Sequence, residues 1–333
     1  MVKRVGHLME QICRSDNLSE AFLRAAKGKS CKREVRLFRQ DLSLELASMA
    51  RDLSDGSYRF APYREFTIYD PKKRQICAAA FRDRVAFHSM MRVCHQVFDN
   101  YQIYDSYASR IGKGVYAALE RAEQFCRKNT WFVKLDIVRY FDNIDQEVMM
   151  SQLCRLFKDP RLLQIFQRLL NTYETSCKRG LPIGNLTSQY FANHYLSIAD
   201  HYCKENMGVK YMIRYMDDLI MFSNDKKQLL EWCEEYRRFI SEHLHLKLHP
   251  VILNQTRYGI PFLGYVVYGD HLRLNTVSRR RFRKRMESRQ MDCRYGIISE
   301  KKYSERVRPL YAFIEKADVK AFKNKIMKDG LFP

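Results

Sequence analysis

The sequence predicts an α+β protein in which an antiparallel sheet is backed by helices. Strand-like segments occur in separate groups, at 57–80, 131–135, 210–222 and 265–274, and helical stretches lie between them. This order does not alternate strand and helix as a doubly wound parallel sheet would. A hydrophobic content of 46% in 333 residues indicates a folded chain with room for two or three closely packed subdomains.

The helices and hairpins follow from local patterns along the chain. Residues 1–55 are predicted to be helical, and 57–80 to form a hairpin that turns at Asp70-Pro71-Lys72-Lys73. A second hairpin, 265–274, is predicted to turn at Gly269-Asp270. Further helices are predicted at about 81–99, 113–127, 146–157, 161–173, 186–205 and 226–244, and from 276 onward.

Two adjacent carboxylates lie on a predicted tight turn. Residues 215–218 read Tyr-Met-Asp-Asp, between the strand-like runs 210–215 and 219–222. Carboxylates avoid such apolar surroundings unless they are paired or bind a metal ion. The alternative is ordinary turn chemistry, because Asp is common in turns.

A third carboxylate follows an earlier strand. The apolar run 131–135 ends at Asp136, which is either a solvated strand end or a partner of Asp217 and Asp218. Three carboxylates at one point can hold two Mg²⁺ ions roughly 3.5–4 Å apart, the arrangement used for nucleotidyl transfer. A strand-end Asp followed about 80 residues later by Tyr-Met-Asp-Asp resembles motifs A and C of reverse transcriptases.

This resemblance implies a right-hand polymerase with catalytic residues Asp136, Asp217 and Asp218. The same aspartates, with the backbone carbonyl of Ile137, are expected to hold two Mg²⁺ ions, for which Mn²⁺ can substitute. The implied division is N-terminal helices and fingers at 1–110, palm at 111–145, fingers again at 146–182, palm again at 183–270, and a basic helical thumb at 271–333.

The charge of the chain points to a nucleic-acid partner. Its 59 basic and 38 acidic residues give a net charge of +21, and the pI is near 9.6. No apolar run approaches the roughly 20 residues that span a membrane, and no secretory signal is visible. The ten cysteines are scattered without a CxxC pair, so we expect reduced thiols in a cytoplasmic protein without zinc.

Basic and aromatic residues are expected to form the nucleotide pocket. Lys73 and Arg74, with Lys72, lie at the predicted hairpin tip, where the alternative is a merely exposed basic loop. Arg110 lies in a stretch that resembles motif 2 of bacterial reverse transcriptases. Phe141, five residues after Asp136, matches the aromatic that excludes a 2′-hydroxyl in the family, although a core aromatic is the alternative.

The motif B region departs from most relatives. Residues 181–193 read LPIGNLTSQYFAN, with Ile183 where retroviral enzymes carry Gln, followed by Gly184 and, after Ser188, by Gln189. The IGxxxSQ pattern resembles reverse transcriptases of diversity-generating retroelements, which copy a template RNA into cDNA with errors at template adenines. That resemblance also implies a small, helical, basic, oligomeric accessory protein. Ordinary loop packing is the alternative for Ile183.

Three later segments complete the resemblance. Lys247 resembles the motif D lysine that protonates the leaving pyrophosphate. The run Phe262-Leu263-Gly264-Tyr265 resembles the primer grip, motif E. Seven of the thirteen residues 278–290 are basic, and the expected contacts to the template–primer backbone are Arg279, Arg280, Arg283 and Lys284.

The sequence leaves two other functions open. A retron-type or phage-defence reverse transcriptase would use the same chemistry on a different RNA. A catalytically inert RNA-binding protein belongs to another class, and the intact Asp136, Asp217 and Asp218 argue against it. For a diversity-generating reverse transcriptase, the expected partners are the template RNA, the RNA/cDNA duplex and deoxynucleoside triphosphates.

Overall fold

The computed structural model describes residues 3–69, 73–318 and 322. The first part of the chain is helical, as predicted, and its apolar side chains pack against a long fifth helix. At this contact Phe22 stacks on Phe38, and Phe81 packs edge-on against both rings. The helices are α1 (Leu8–Cys13), α2 (Ser15–Ala26), α3 (Arg33–Gln40) and α4 (Leu42–Ser54).

The first hairpin is shorter than the sequence suggested. Its strands are β1 (Arg64–Ile68) and β2 (Arg74–Ala78), and they pair antiparallel. Tyr58 is not in a strand because it is buried in the helical core, where its hydroxyl donates to the Asp83 carboxylate over 2.9 Å. Two helices follow, α5 (Phe81–Tyr101) and α6 (Val115–Lys128).

The central sheet is antiparallel, with strand order β4-β5-β3-β6. Its edge strand β6, which pairs with β3, was missed by the sequence analysis. The predicted helix 186–205 is broken at Leu196 and ends in a π-helical turn, 202–206. In chain order the elements are β3 (Trp131–Leu135), α7 (Tyr140–Asn143), α8 (Gln146–Leu156), α9 (Pro160–Leu170), α10 (Leu186–Tyr195), α11 (Ser197–His201), β4 (Tyr211–Tyr215), β5 (Asp218–Ser223), α12 (Lys226–Leu244) and β6 (Ile252–Gln255).

Both faces of the central sheet are covered. Val133, Met212 and Met221 face a core shared with α10, α11 and α12, whereas Phe132 and Ile220 face a second core shared with α6 and the following sheet. Side chains alternate between faces along a strand. Double coverage therefore explains why these strands read as nearly continuous apolar runs.

A small sheet and two helices complete the chain. β7 (Ile260–Phe262), β8 (Tyr265–Val267) and β9 (Leu272–Leu274) form an antiparallel sheet, and the hairpin 265–274 turns at Gly269-Asp270 as predicted. The last described helices are α13 (Thr276–Arg294) and α14 (Glu300–Glu315). The mixture of helices with antiparallel sheets confirms the predicted α+β class. The subdomain boundaries stay predictions.

Two compositional expectations can be compared with the structure. All ten cysteines are free thiols. Across the described ranges, no helix combines the length and apolarity needed to cross a membrane.

Candidate active site

The Tyr-Met-Asp-Asp segment forms the turn of the β4–β5 hairpin. Tyr215 and Asp218 are paired across the hairpin, so Met216 and Asp217 are its two loop residues. Met216 has a φ of 58°, which is uncommon for a residue with a side chain. Such strain persists only where neighbouring contacts fix the backbone, and it concentrates at functional sites.

Asp136 lies beside this turn because β3 and β5 pair antiparallel. Leu135 is opposite Leu219, so the next residues along the two strands, Asp136 and Asp218, reach the same edge of the sheet. The backbone beyond β3 is held by His249 N donating to Asp136 O over 2.9 Å. The three predicted aspartates are therefore brought to one place.

The charges of the three aspartates act on one another. Burial raises the pKa of Asp217, and the Asp136 carboxylate adds to this increase, while Arg74 opposes it. Burial also raises the pKa of Asp218 to about 6, against the effect of the nearby Lys134 ammonium. Asp217 and Asp218, whose pKa values are raised by burial and by the neighbouring carboxylates, suit a site for a cation.

The donor set fits a divalent metal ion. The Oδ1 atom of Asp218 is buried without a hydrogen-bond partner, although the side chain as a whole is 21% exposed. Within residues 3–69 and 73–318, no three His, Cys, Asp or Glu side chains meet at the spacing of a formed metal site. Oδ2 of Asp218 is bonded to Lys134 instead. Side-chain rotation of the aspartates would be needed to enclose a metal ion.

Lys134 was not identified from the sequence. It lies inside β3, and its Nζ is 2.9 Å from Asp218 Oδ2 and donates to Pro261 O over 2.9 Å. The only sequence signal was one charged residue in an otherwise apolar strand. That signal does not indicate a partner.

A buried network on the opposite face of the hairpin was also missed. Arg214 has no exposed surface, and its guanidinium contacts the equally buried Asp200 at 2.6 Å. It also donates to Asn193 Oδ1 over 2.9 Å, to Gln102 Oε1 over 3.1 Å and to Met216 O over 3.0 Å. Burial alone would lower the pKa of Arg214, but the Asp200 carboxylate outweighs it and the pKa is raised. The last bond ties this network to the Tyr-Met-Asp-Asp turn.

The predicted finger residues differ in what the structure shows. Arg74 begins β2 with an exposed side chain, and its charge acts on Asp217. Lys73 is exposed next to it, and Lys72 lies outside the described residues.

The motif B loop lies directly against β2. Ile183 O accepts a hydrogen bond from Cys77 N over 2.9 Å, and Asn185 donates back to Cys77 O over 3.2 Å. Gly184 has a φ of 114°, and a Cβ there would lie 2.9 Å from Ile76 Cγ2. A glycine is therefore required for this close approach. Ile183 is half-buried, and Gln189 is exposed on α10.

Phe141 and Arg110 have different surroundings. Phe141 is partly buried, and its carbonyl accepts from Leu181 N over 2.8 Å, which joins motif A to motif B. Arg110 is not brought to the carboxylates. Its guanidinium pairs with Asp99 at 2.6 Å and donates to Ile103 O and Ser106 O. These bonds favour a structural role, and the nucleotide contact of Arg110 stays a prediction.

The primer-grip residues form the β7–β8 turn. Leu263 and Gly264 both have positive φ, the signature of a type I′ turn, while Phe262 and Tyr265 are buried. A Cβ on Gly264 would lie 3.0 Å from Ser278 Oγ of α13, so the glycine allows close contact with that helix.

Lys247 and the basic helix complete the predicted set. Lys247 O accepts from Val138 N over 2.9 Å, which places the residue next to motif A, with an exposed side chain.

Helix α13 buries Ser278, Phe282 and Met286 on one side. The predicted backbone contacts lie along the rest of this helix, at Arg279, Arg280, Arg283 and Lys284.

Comparisons with known proteins place the chain among its relatives. The chain is 21% identical over 294 residues to the putative COX1/OXI3 intron 2 protein of Saccharomyces cerevisiae, covering 67% of this chain and 34% of that protein. It is 23% identical over 167 residues to the group II intron-encoded protein LtrA of Lactococcus lactis subsp. cremoris, covering 47% of this chain and 28% of that protein. The chain thus spans about a third of the length of these relatives.

A solved structure and a family model extend the comparison. Telomerase from Candida tropicalis, in complex with a TWJ fragment of telomeric RNA, matches 85% of this chain and 59% of its own at a TM-score of 0.50 and 10% identity, which shows a shared fold. The family model for reverse transcriptase (RNA-dependent DNA polymerase) matches residues 70–267. That match covers more than half of the chain, which therefore belongs to the reverse transcriptase family.

Proposed function

We propose that this protein is an RNA-directed DNA polymerase that extends a primer on an RNA template. The observation that carries the proposal is the meeting of Asp136, Asp217 and Asp218 at one edge of the central sheet. Arg74, whose charge acts on Asp217, is the expected partner of a triphosphate, and the net charge of +21 suits a nucleic-acid duplex.

Each residue has a role in this reaction. Two Mg²⁺ ions bound by the three aspartates, with the Ile137 carbonyl, would activate the primer 3′-hydroxyl and stabilise the pyrophosphate leaving group. Arg74 and Lys73 bind the triphosphate oxygens. The exposed Lys247 donates a proton to the leaving group. The β7–β8 turn and helix α13 position the primer and the duplex backbone.

Primer extension on an RNA template tests the proposal. We expect Mg²⁺-dependent incorporation of deoxynucleotides by the wild-type protein and at least about a hundredfold less by Asp217→Asn, since loss of one metal ligand costs several kcal/mol of transition-state stabilisation. Thermal unfolding of both proteins controls for misfolding. Failure of the folded wild type to extend a primer, alone and with accessory factors, would favour an inert RNA-binding protein.

We further propose that the enzyme is of the diversity-generating type, copying its template RNA with errors at adenines. The support is motif B, where Ile183 offers an apolar side chain in place of a hydrogen-bonding Gln. Its backbone carbonyl is bonded to Cys77 N, which holds the loop against β2, and its side chain is the group proposed to contact the nucleotide sugar. A site that encloses a substrate without hydrogen-bonding it discriminates less well.

The error spectrum on an adenine-containing RNA template tests this explanation. Ile183→Gln should restore a hydrogen-bonding group and lower misincorporation at adenines. Ile183→Leu is the matched control, because it keeps an apolar side chain of the same volume, and its spectrum should equal that of the wild type. Equal adenine error rates in all three proteins would contradict the proposed role of Ile183.

The partners of the diversity-generating type are part of the same proposal. They are a template RNA, the RNA/cDNA duplex and a small basic helical accessory protein. Two near-identical DNA repeats beside the gene that differ at adenines would support this type. A structured non-coding RNA gene in their place would favour a retron-type enzyme.

A further inference from the structure

Lys134 occupies an unusual position for a lysine. It lies in the interior strand β3, flanked by buried Val133 and Leu135, and only 18% of its side chain is exposed. A lysine is seldom placed inside a sheet covered on both faces unless its ammonium group has partners. Since Lys134 and Asp136 are two residues apart on a strand, they share one face of the sheet.

Two contacts of equal length fix the ammonium group of Lys134. It is 2.9 Å from Asp218 Oδ2 and 2.9 Å from the carbonyl oxygen of Pro261, in the strand that precedes the primer-grip turn. The Pro261 contact anchors the ammonium group independently of Asp218. The positive charge therefore remains beside the carboxylates even when Asp218 binds something else.

We propose that Lys134 competes with a divalent cation for Asp218 and thereby lowers the metal affinity of the active site. This inference rests on the proposed polymerase function, because it concerns the same carboxylates. Lys134 is a positioning residue in this proposal. It holds Asp218 Oδ2 through a charge-assisted hydrogen bond.

The competition between the cation and the Lys134 ammonium is electrostatic. A bound divalent cation and the Lys134 ammonium would lie on the same carboxylate and repel each other, since two positive charges this close interact even at a partly exposed site. Oδ1 has no partner to lose, but a cation that also binds Oδ2 must displace the ammonium from it. Removing the ammonium charge should therefore strengthen metal binding, although it removes a contact of the protein.

Mn²⁺ binding to the full-length protein at pH 8, followed by the electron paramagnetic resonance signal of free Mn²⁺, tests the proposal. We expect Lys134→Met to bind Mn²⁺ about tenfold more tightly. One neighbouring charge shifts the ionisation equilibrium of another group by about this factor. Lys134→Gln, which is neutral but can still donate to Pro261 O, should behave in the same way. Lys134→Arg should stay within about twofold of wild type, because it keeps the charge.

The chain provides a matched control at Lys204. Its Nζ also bridges a carboxylate and a carbonyl, being 3.3 Å from Asp105 Oδ2 and 2.9 Å from Lys210 O, with 24% of the side chain exposed. Lys204→Met removes the same type of contact away from the catalytic aspartates. Its Mn²⁺ affinity should equal that of the wild type.

The outcomes separate this proposal from the function on which it rests. If the wild type shows no Mn²⁺ binding beyond that of Asp218→Asn, both the metal site and the role of Lys134 are wrong. If the wild type binds Mn²⁺ but Lys134→Met and Lys134→Gln bind it equally or more weakly, only the role of Lys134 is wrong. Tighter binding in the two neutral variants alone supports the proposal.

Discussion

The two faces of the central sheet hold the catalytic hairpin with ion pairs of opposite character. On the face toward α10 and α11, Arg214 and Asp200 are both 0% exposed. On the face toward β7–β9, Lys134 and Asp218 are 18% and 21% exposed, and Asp218 retains a buried oxygen without a partner. The first pair is saturated with hydrogen bonds, whereas the second has bonding capacity left.

This difference separates structure from chemistry within one hairpin. The guanidinium of Arg214 bonds to Met216 O and so fixes the strained turn from behind. A buried pair of this kind cannot be broken without leaving a charge in an apolar surrounding. The Lys134–Asp218 pair can be broken at lower cost, because both groups reach water. Only the latter pair is suited to exchange with a ligand.

The largest expected effect comes from breaking the buried pair. Asp200→Asn should lower the free energy of unfolding by about 3–5 kcal/mol, because Arg214 would keep a buried charge without its counterion. Urea unfolding at pH 7 measures this difference, and the slope against urea concentration should stay unchanged if the native fold is retained.

Asp105 provides the matched control for the buried pair. Its carboxylate is 7% exposed, but its cations Arg121 and Lys204 are 31% and 24% exposed and can turn to water. Asp105→Asn should therefore cost only about 1 kcal/mol. Equal losses for Asp105→Asn and Asp200→Asn would show that the buried pair at Arg214 has no special structural role.

Breaking the other pair should affect activity and spare stability. Asp218→Asn should reduce primer extension at least about a hundredfold, equivalent to about 2.7 kcal/mol, because a metal ligand is lost. Its free energy of unfolding should change by less than about 1 kcal/mol, because a partly exposed ion pair contributes little. Single-turnover extension rates and urea unfolding of the same protein sample measure the two effects.

Asp225 provides the control for this prediction. It caps helix α12 at the far end of the same hairpin, where its carboxylate accepts from Lys227 N and Gln228 N. Asn caps helices about as well as Asp, so Asp225→Asn should leave both rate and stability near wild type. A large stability loss in Asp218→Asn would remove the proposed contrast between the two faces.

The meeting of the three aspartates could be predicted from sequence because the signal for each of them is local. Strands β3, β4 and β5 are short apolar runs, and each of Asp136, Asp217 and Asp218 lies at a strand end. β6 was missed because Ile252–Gln255 is short, half polar and at the sheet edge, so neither period nor composition distinguishes it from a loop.

The surroundings of the two cations could not be predicted, because several of their hydrogen-bond partners are distant in sequence. Lys134 reaches Pro261, 127 positions away, and Arg214 reaches Gln102, 112 positions away. A sequence pattern identifies a charged residue in an apolar strand but does not indicate which face or partner it meets. Arg110 illustrates the reverse case. Its motif suggested a nucleotide contact, whereas its donors bond to Asp99 and nearby carbonyls.

The smallest expected effect is on the pH dependence of stability, through a buried histidine on the face toward α10. His194, next to Asn193 in α10, is 1% exposed and packs edge-on against Phe98 and Tyr101. Burial lowers the pKa of His194 from 6.5 to about 3, and Arg214 and His201 contribute further. The unfolded chain therefore binds a proton at a pH where the folded one does not, so stability is complete above pH 6.5 and is lost as the pH falls below it.

Between pH 7 and pH 5, His194 should contribute a loss of about 2 kcal/mol in the free energy of unfolding. His194→Phe keeps an aromatic ring and removes the titrating group, so the difference in stability between these two pH values should shrink by that amount whatever the variant's stability at pH 7. His243→Phe is the control. The His243 ring stacks on Phe239 but is exposed to water, so this variant should keep the wild-type pH difference. An equal pH difference in the wild type and His194→Phe would mean that His194 does not limit stability in acid. Only the Arg214–Asp200 pair would then distinguish this face of the sheet from the other.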